Sequence, residues 1–287
     1  MAKLTKEQAK KHAAACELLK KDRLTLEDKY FVLDHWREDA HHINSVNGAF
    51  FTPTGLARDL AIEIVGPRVI DLCAGIGSLA FAVWSRFDCD RSSLQNITCV
   101  ELNPDYVAVG RKILPEAVWI QADVFALPST IGRFDCAISN PPFGPAKSSG
   151  KAPRFTGNVF EYRVIDIASD IADHGVFIIP QASAPFEYSG KQCYRQNEHE
   201  KYRNFVAQTS ISLGVNCGLD TSAHRNEWTI APPPIEIVTA DLREARDLRT
   251  LKLLNAPKLI ESSSRMPGSD GCTDPGPQAT KQFDLFR

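Results

Sequence analysis

The chain has 287 residues, 43% hydrophobic and 24% charged, the balance of an ordinary globular protein. Its formal net charge of −2 excludes a uniformly basic surface for coating nucleic acid or membrane, so any basic patch must be local. No apolar stretch approaches the roughly 18 residues of a membrane span, and no signal-peptide pattern opens the chain. The cysteines (Cys16, Cys73, Cys89, Cys99, Cys136, Cys193, Cys217 and Cys272) include no C-x-x-C pair. A reducing, cytoplasmic setting without metal is the expectation.

Residues 1–45 read as an N-terminal helical extension. Leu18 and Leu19, then Leu26, Tyr30, Phe31, Leu33 and Trp36, recur with the spacing of two helices. Lysine and arginine outnumber acids over residues 1–24, which reads as a solvated helix face, with phosphate contact as the alternative. His41 and His42 read as surface residues, because no Cys or acid stands at metal-ligand spacing from them.

From residue 53 the pattern alternates. PTGLARDLAIEIV is helical, with proline at its start, where a missing N–H costs nothing. RVIDLCAG is a buried strand, SLAFAVWSRF a helix, ITCVEL a strand and PDYVAVGRKIL a helix. AVWIQAD and FDCAISN are strands, NVFEYRVIDIASDIA a helix, GVFIIPQ a strand, and PIEIVTADL a last strand. Continuous apolar strands separated by helices indicate a parallel sheet covered on both faces. Residues 187–228 are polar and irregular, an insertion or recognition loop. The Ser-, Pro- and Gly-rich residues 259–287 are expected to form a disordered tail, which leaves 46–258 as the main domain.

Chemistry concentrates where strands end. Asp71, Leu72, Cys73, Ala74, Gly75, Ile76 and Gly77 join the first strand to a helix. Gly75 and Gly77 permit a tight turn and let a ligand lie on bare backbone at a helix N-terminus. Glu101 ends the next strand, where a carboxylate can accept both hydroxyls of a ribose. With Ala80 the glycines also satisfy G-x-G-x-x-A, so these features alone leave a dinucleotide and other adenosine cofactors open. The fourth strand stops at Asn140, Pro141, Pro142 and Phe143; prolines cannot extend a ladder, and they preset the direction of the preceding carbonyls.

The pattern D-x-x-x-G-x-G from Asp71 to Gly77 resembles motif I of class I methyltransferases, and Asn140 to Phe143 resembles motif IV of the amino-methyltransferases. Gly48, Phe51, Thr52 and Pro53 resemble motif X, the G-x-F/Y-x-T-P entry of gamma-class N6-adenine DNA methyltransferases and type I modification subunits. The likeness covers about residues 48–182, with a weaker match at 234–242. It implies a Rossmann-like α/β fold with a mostly parallel seven-stranded sheet and S-adenosylmethionine as cofactor. It further implies transfer to an adenine N6 in DNA, in a restriction-modification or related setting. Cofactor contacts then fall on Phe51, Thr52, Pro53, Asp71, Cys73, Ala74, Gly75, Gly77, Glu101, Leu102, Asp123 and Val124. In this reading Asp71 orients the methionine ammonium, and Asp123 and Val124 hold the adenine. Asn140 and the Pro141 carbonyl hold the target amine, and Phe143 stacks on a flipped base, with Pro142 stiffening the turn.

Lys147, Lys151 and Arg154 are positioned for phosphate contacts, or serve only to solubilise a loop. Phe186 and Tyr188 are candidates for walls of a base pocket. Gln282 to Phe286, QFDLF, resembles the pentapeptide with which bacterial replication proteins bind the sliding clamp. Gamma-class enzymes usually carry a separate target-recognition domain after the catalytic one, and the 45 residues after PIEIVTADL are not expected to form it. That keeps open methylation of RNA or of a protein glutamine amide, and a cofactor-binding subunit without turnover.

Overall fold

Every apolar run expected to form a strand does so in the computed structural model, which describes residues 5–37, 51–86, 96–143, 150–228 and 232–255. Gly48, His41, His42, Lys147, the 259–287 tail and its Gln282–Phe286 segment lie outside the described residues. The main sheet is built from β1 (Arg68–Leu72), β2 (Asn96–Glu101), β3 (Val118–Gln121), β4 (Phe134–Ser139), β5 (Ala172–Pro180), β8 (Gly214–Val215) and β9 (Ile235–Asp241). A separate two-residue ribbon joins β6 (Phe186–Glu187) to β7 (Arg195–Gln196). The order across the sheet is β3-β2-β1-β4-β5-β9-β8. β1 to β5 pair in parallel, while β9 runs antiparallel to β5 and β8. The fold is therefore the mostly parallel seven-stranded α/β sheet expected.

Alternation along the strands separates two cores. Val69, Ile97, Cys99, Cys136 and Ile138 join one core with α1 (Lys6–Leu18), α2 (Leu26–His35), α3 (Thr54–Leu60), α4 (Ser78–Arg86) and α5 (Pro104–Ile113). Ile70, Leu72, Val100 and Ala137 join the other with α6 (Phe160–Ile171), α7 (Glu200–Thr209) and α8 (Leu242–Asn255). The described residues up to Leu254 form one compact unit that includes the two N-terminal helices. Capping boxes start both: Thr5 with Gln8, and Thr25 with Asp28.

Two expectations are corrected, and one further helix is present. The helix after Pro53 ends at Leu60 and tightens into a 3-10 turn over Ala61–Glu63, because β-branched Ile62, Ile64 and Val65 with Gly66 end the helical run. Residues 187–228 are not irregular: they carry β7, α7, β8 and a 3-10 turn, Thr221–His224. Helix α8 follows β9 directly and carries only Leu242 and Ala245 inward, too few apolar anchors for its periodicity to announce it.

Glu236 explains why the chain after β5 is ordered. It is fully buried in β9 and accepts from Gln181 Nε2 (2.6 Å), Tyr188 N (2.7 Å), Ser189 N (2.9 Å) and, through its second oxygen, Ser189 Oγ (2.7 Å). A buried carboxylate is tolerated only with such a set of donors.

Close packing also constrains α5. A Cβ on Gly110 would stand 2.1 Å from the Trp119 ring of β3. Gly110→Ala is expected to cost about 1–3 kcal/mol, read as a lower denaturant midpoint at unchanged slope.

His224 ties the Thr221–His224 turn to α3. Its Nε2 lies 2.8 Å from Asp59 Oδ2 and its Nδ1 2.9 Å from Glu227 Oε1. Burial alone lowers its pKa, but the two carboxylates outweigh burial and hold it above the ordinary 6.5. A folded pKa above the unfolded one means that the bridge stabilises fully below about pH 6.5 and weakens as pH rises through the folded value. Denaturation curves across that window should show this slope in the wild type and lose it in His224→Asn.

Candidate active site at the carboxyl edge of the sheet

β1 and β4 are neighbours, yet the chain visits β2 and β3 on one side before returning to β4. That reversal opens a crevice outside the carboxyl ends of β1 and β4, the usual ligand position in open α/β sheets. The two segments singled out from sequence flank it: Asp71–Gly77 leaves β1 and Asn140–Phe143 leaves β4. Ser139 Oγ donates to the Leu72 carbonyl and fastens the two strand ends together.

The turn after β1 is held in shape by backbone geometry. Gly75 and Gly77 take φ of 57° and 91°, and Cys73 takes 64°, a left-handed conformation that strains a residue with a Cβ. Ala74 N–H donates to Val100 O (2.9 Å) and Gly77 N–H to Ala74 O (2.9 Å). Glu101, at the end of β2, accepts the Gly75 N–H on one oxygen and the Asn103 N–H on the other, both at 2.8 Å. The Leu102 N–H also pulls on this carboxylate. Burial raises the Glu101 pKa against the pull of these N–H groups. Leu102, next to it, is 64% exposed, while Val124 is buried and Asp123 Oδ1 accepts the Phe125 N–H (2.9 Å).

Asp71 is fully buried between β2 and β4, and neither carboxylate oxygen has a hydrogen-bond partner among the described residues. Burial raises its pKa well above the usual carboxylate range, and the Glu101 charge adds to this. The Ala80 N–H offsets it in part, without a hydrogen bond of normal geometry. A buried carboxylate without donors calls for a cation or a proton.

Phe51 and Thr52 complete the floor. A Cβ on Gly75 would stand 3.2 Å from the Phe51 ring, which in turn packs on Trp36 (centroids 5.6 Å apart) and Tyr106 (5.0 Å). The second N-terminal helix thus backs the glycine turn. Thr52 is buried, and its Oγ1 accepts from Asn140 Nδ2 at 3.0 Å. This bond fixes the amide plane and turns Oδ1 away from Thr52. Pro53 caps α3, Pro141 is buried, and Pro142 and Phe143 are half-buried.

Other expected residues fall elsewhere. Arg154 does not offer its guanidinium to the crevice: it bonds Asp166 Oδ1 (2.9 Å) and Asp170, both on α6. Phe186 is 1% exposed, packed in the second core and stacked with Tyr194, so it is no pocket wall. Tyr188 donates its hydroxyl to the Gly218 carbonyl (3.4 Å). Lys151 is exposed. Sequence reasoning placed Trp36 on a helix but not behind the glycine turn, and it missed Glu236, whose signal is a lone acid inside the apolar run PIEIV. Among the described residues no His, Cys, Asp and Glu group is arranged to hold a metal, and no helix is long and apolar enough to cross a membrane.

No family model and no curated protein matches the sequence. Solved structures do match its fold. A protein from Listeria monocytogenes assigned to the class I S-adenosylmethionine-dependent methyltransferases superposes with a TM-score of 0.50 at 11% identity, over 80% of this chain and 79% of that one. The chain has the class I methyltransferase fold. It is also similar to the methyltransferase subunit of a type I restriction-modification system from Streptococcus thermophilus (TM-score 0.46, 14% identity, 74% of this chain, 49% of that one). A protein from Pyrococcus horikoshii assigned as an RNA methyltransferase aligns at 22% identity with a TM-score of 0.37, over 47% of this chain. The chain spans 64% of that protein and about half of the Streptococcus subunit.

Proposed function

We propose that the chain is an S-adenosylmethionine-dependent methyltransferase acting on the exocyclic N6 of adenine in DNA. The observation that carries this reading is the Asn140–Thr52 bond, which brings motif IV onto motif X beside the acidic glycine turn. The residues fit the cofactor. The orphaned Asp71 carboxylate suits an ammonium, which brings three donors and a positive charge. The Glu101 carboxylate suits a ribose diol, and exposed Leu102, with Val124 beneath Asp123, is the apolar side expected for a purine.

When bound, the cofactor supplies a methyl group on a sulfonium. The chain's own residues prepare the amine. An adenine N6 is a weak nucleophile because its lone pair is delocalised into the ring. Asn140 Oδ1, aimed by Thr52, accepts one amino hydrogen and the Pro141 carbonyl accepts the other, which localises the lone pair. Because the acceptors are fixed beforehand, little reorganisation is required at the moment of transfer. Phe143 stacks on the base and offsets part of the cost of taking it out of the duplex. The product proton leaves to water.

Tritiated methyl transfer tests this against unmethylated DNA, total RNA and protein extract. Label in N6-methyladenine of DNA is expected. Label confined to RNA or protein overturns the substrate class, and calorimetry showing no uptake of S-adenosylmethionine overturns the reaction.

A further inference from the structure

Arg163 lies on α6 and belongs to neither motif, yet it joins the turn after β3 to the chain beyond Phe143. It is 9% exposed, and its guanidinium centre stands 4.2 Å from the centroid of the Phe125 ring. Its Nη2 donates to the Gly150 carbonyl. Phe125 continues the Asp123–Val124 turn, and its own N–H is held by Asp123. Gly150 is the first described residue after the Asn140–Phe143 segment. Gly150 and Phe125 are pressed together: a Cβ on Gly150 would stand 2.0 Å from the Phe125 Cβ. Phe160, in the first turn of α6, meets the Phe125 ring edge-on at 5.2 Å.

One turn further along α6, Asp166 Oδ2 accepts the N–H groups of Arg154 (2.6 Å) and Phe155 (2.8 Å). Helix α6 therefore pins the chain beyond motif IV twice. The Asp166 pin holds only that segment. The Arg163 pin also grips the turn after β3.

We propose that Arg163 is a positioning residue that couples the adenine side of the cofactor site to the segment following the target-amine site. The proposal rests on the methyltransferase reading above. A planar guanidinium can stack on Phe125 and donate in its own plane to Gly150 at once, whereas an ammonium cannot do both equally well.

The test uses the full chain, with calorimetry of S-adenosylmethionine alone and steady-state methylation of DNA, both well below the melting temperature of each variant. Arg163→Ala is expected to weaken cofactor binding and to raise KM for DNA, each by about tenfold, with kcat changed by no more than about threefold. Arg163→Lys should recover part of both losses. Asp166→Asn should raise KM for DNA and leave cofactor binding as in the wild type, a split that general loosening of α6 would not produce. If Arg163→Ala does not fold, Phe125→Leu replaces it, with the same expected losses. A wild type that binds no S-adenosylmethionine removes the methyltransferase reading and this proposal with it. A wild type that binds, beside a folded Arg163→Ala or Phe125→Leu with unchanged cofactor affinity and KM, overturns this proposal alone.

Discussion

Asn140→Ala is expected to lower kcat for methyl transfer by about a thousandfold while S-adenosylmethionine still binds within about threefold of wild-type affinity. The split follows from where Asn140 stands. It leaves β4, contacts Thr52 and touches neither Glu101 nor the glycine turn through any bond described above. Its oxygen acts on the target amine as charge develops there, so the loss falls on the transition state rather than on binding. Thr52→Val is the companion change. It keeps the shape of the residue and removes the acceptor for Asn140 Nδ2, which loosens the aim of the amide. A smaller loss, about tenfold to a hundredfold in kcat, is expected, because the acceptor is still present but no longer aimed. Single-turnover transfer with saturating cofactor measures both. An Asn140→Ala protein with near-wild-type turnover would remove Asn140 from the chemistry.

Asp71→Asn should do something less intuitive: stabilise the free protein and weaken its hold on the cofactor. The wild-type carboxylate is completely buried with only the Ala80 N–H to offset it, so the fold carries the cost of a desolvated group. A neutral amide of the same shape relieves about 1–3 kcal/mol of that cost, which raises the melting temperature by several degrees. The sign with pH follows from the raised pKa. The folded Asp71 pKa lies above the unfolded one, so the wild type is fully stable only below the unfolded pKa and loses stability as pH rises through the folded value. The gap between variant and wild type should therefore open as pH rises above about 4 and close in acid. Glu101, whose pKa is also raised, leaves a smaller dependence of the same sign in the variant. With S-adenosylmethionine present the order should reverse, because the ammonium supplies the charge that the carboxylate lacks and binding stabilises only the protein that binds. Melting curves with and without cofactor decide it. An Asp71→Asn protein that melts below the wild type without cofactor would show that Asp71 serves the fold instead.

The sequence by itself determined the strand-and-helix order from α1 to β5 and the strand β9, the two glycines of the turn, the acid ending β2 and the stop at Pro141. These are short-range matters: steric limits on φ, a missing N–H and the period of apolar residues act within a few positions. Tertiary structure alone decided which side chains meet. Thr52 and Asn140 are 88 positions apart and share a hydrogen bond because β4 returns beside β1. Arg154 looks like a phosphate contact in the sequence but is captured by Asp166 and Asp170, and an arginine reads the same whichever anion it finds. Phe186 is core, and Glu236 is a buried anchor, because β9 inserts antiparallel against β5 and carries Glu236 onto Gln181, Tyr188 and Ser189. Partner choice of this kind depends on exclusion of water by distant elements, and no local pattern encodes it.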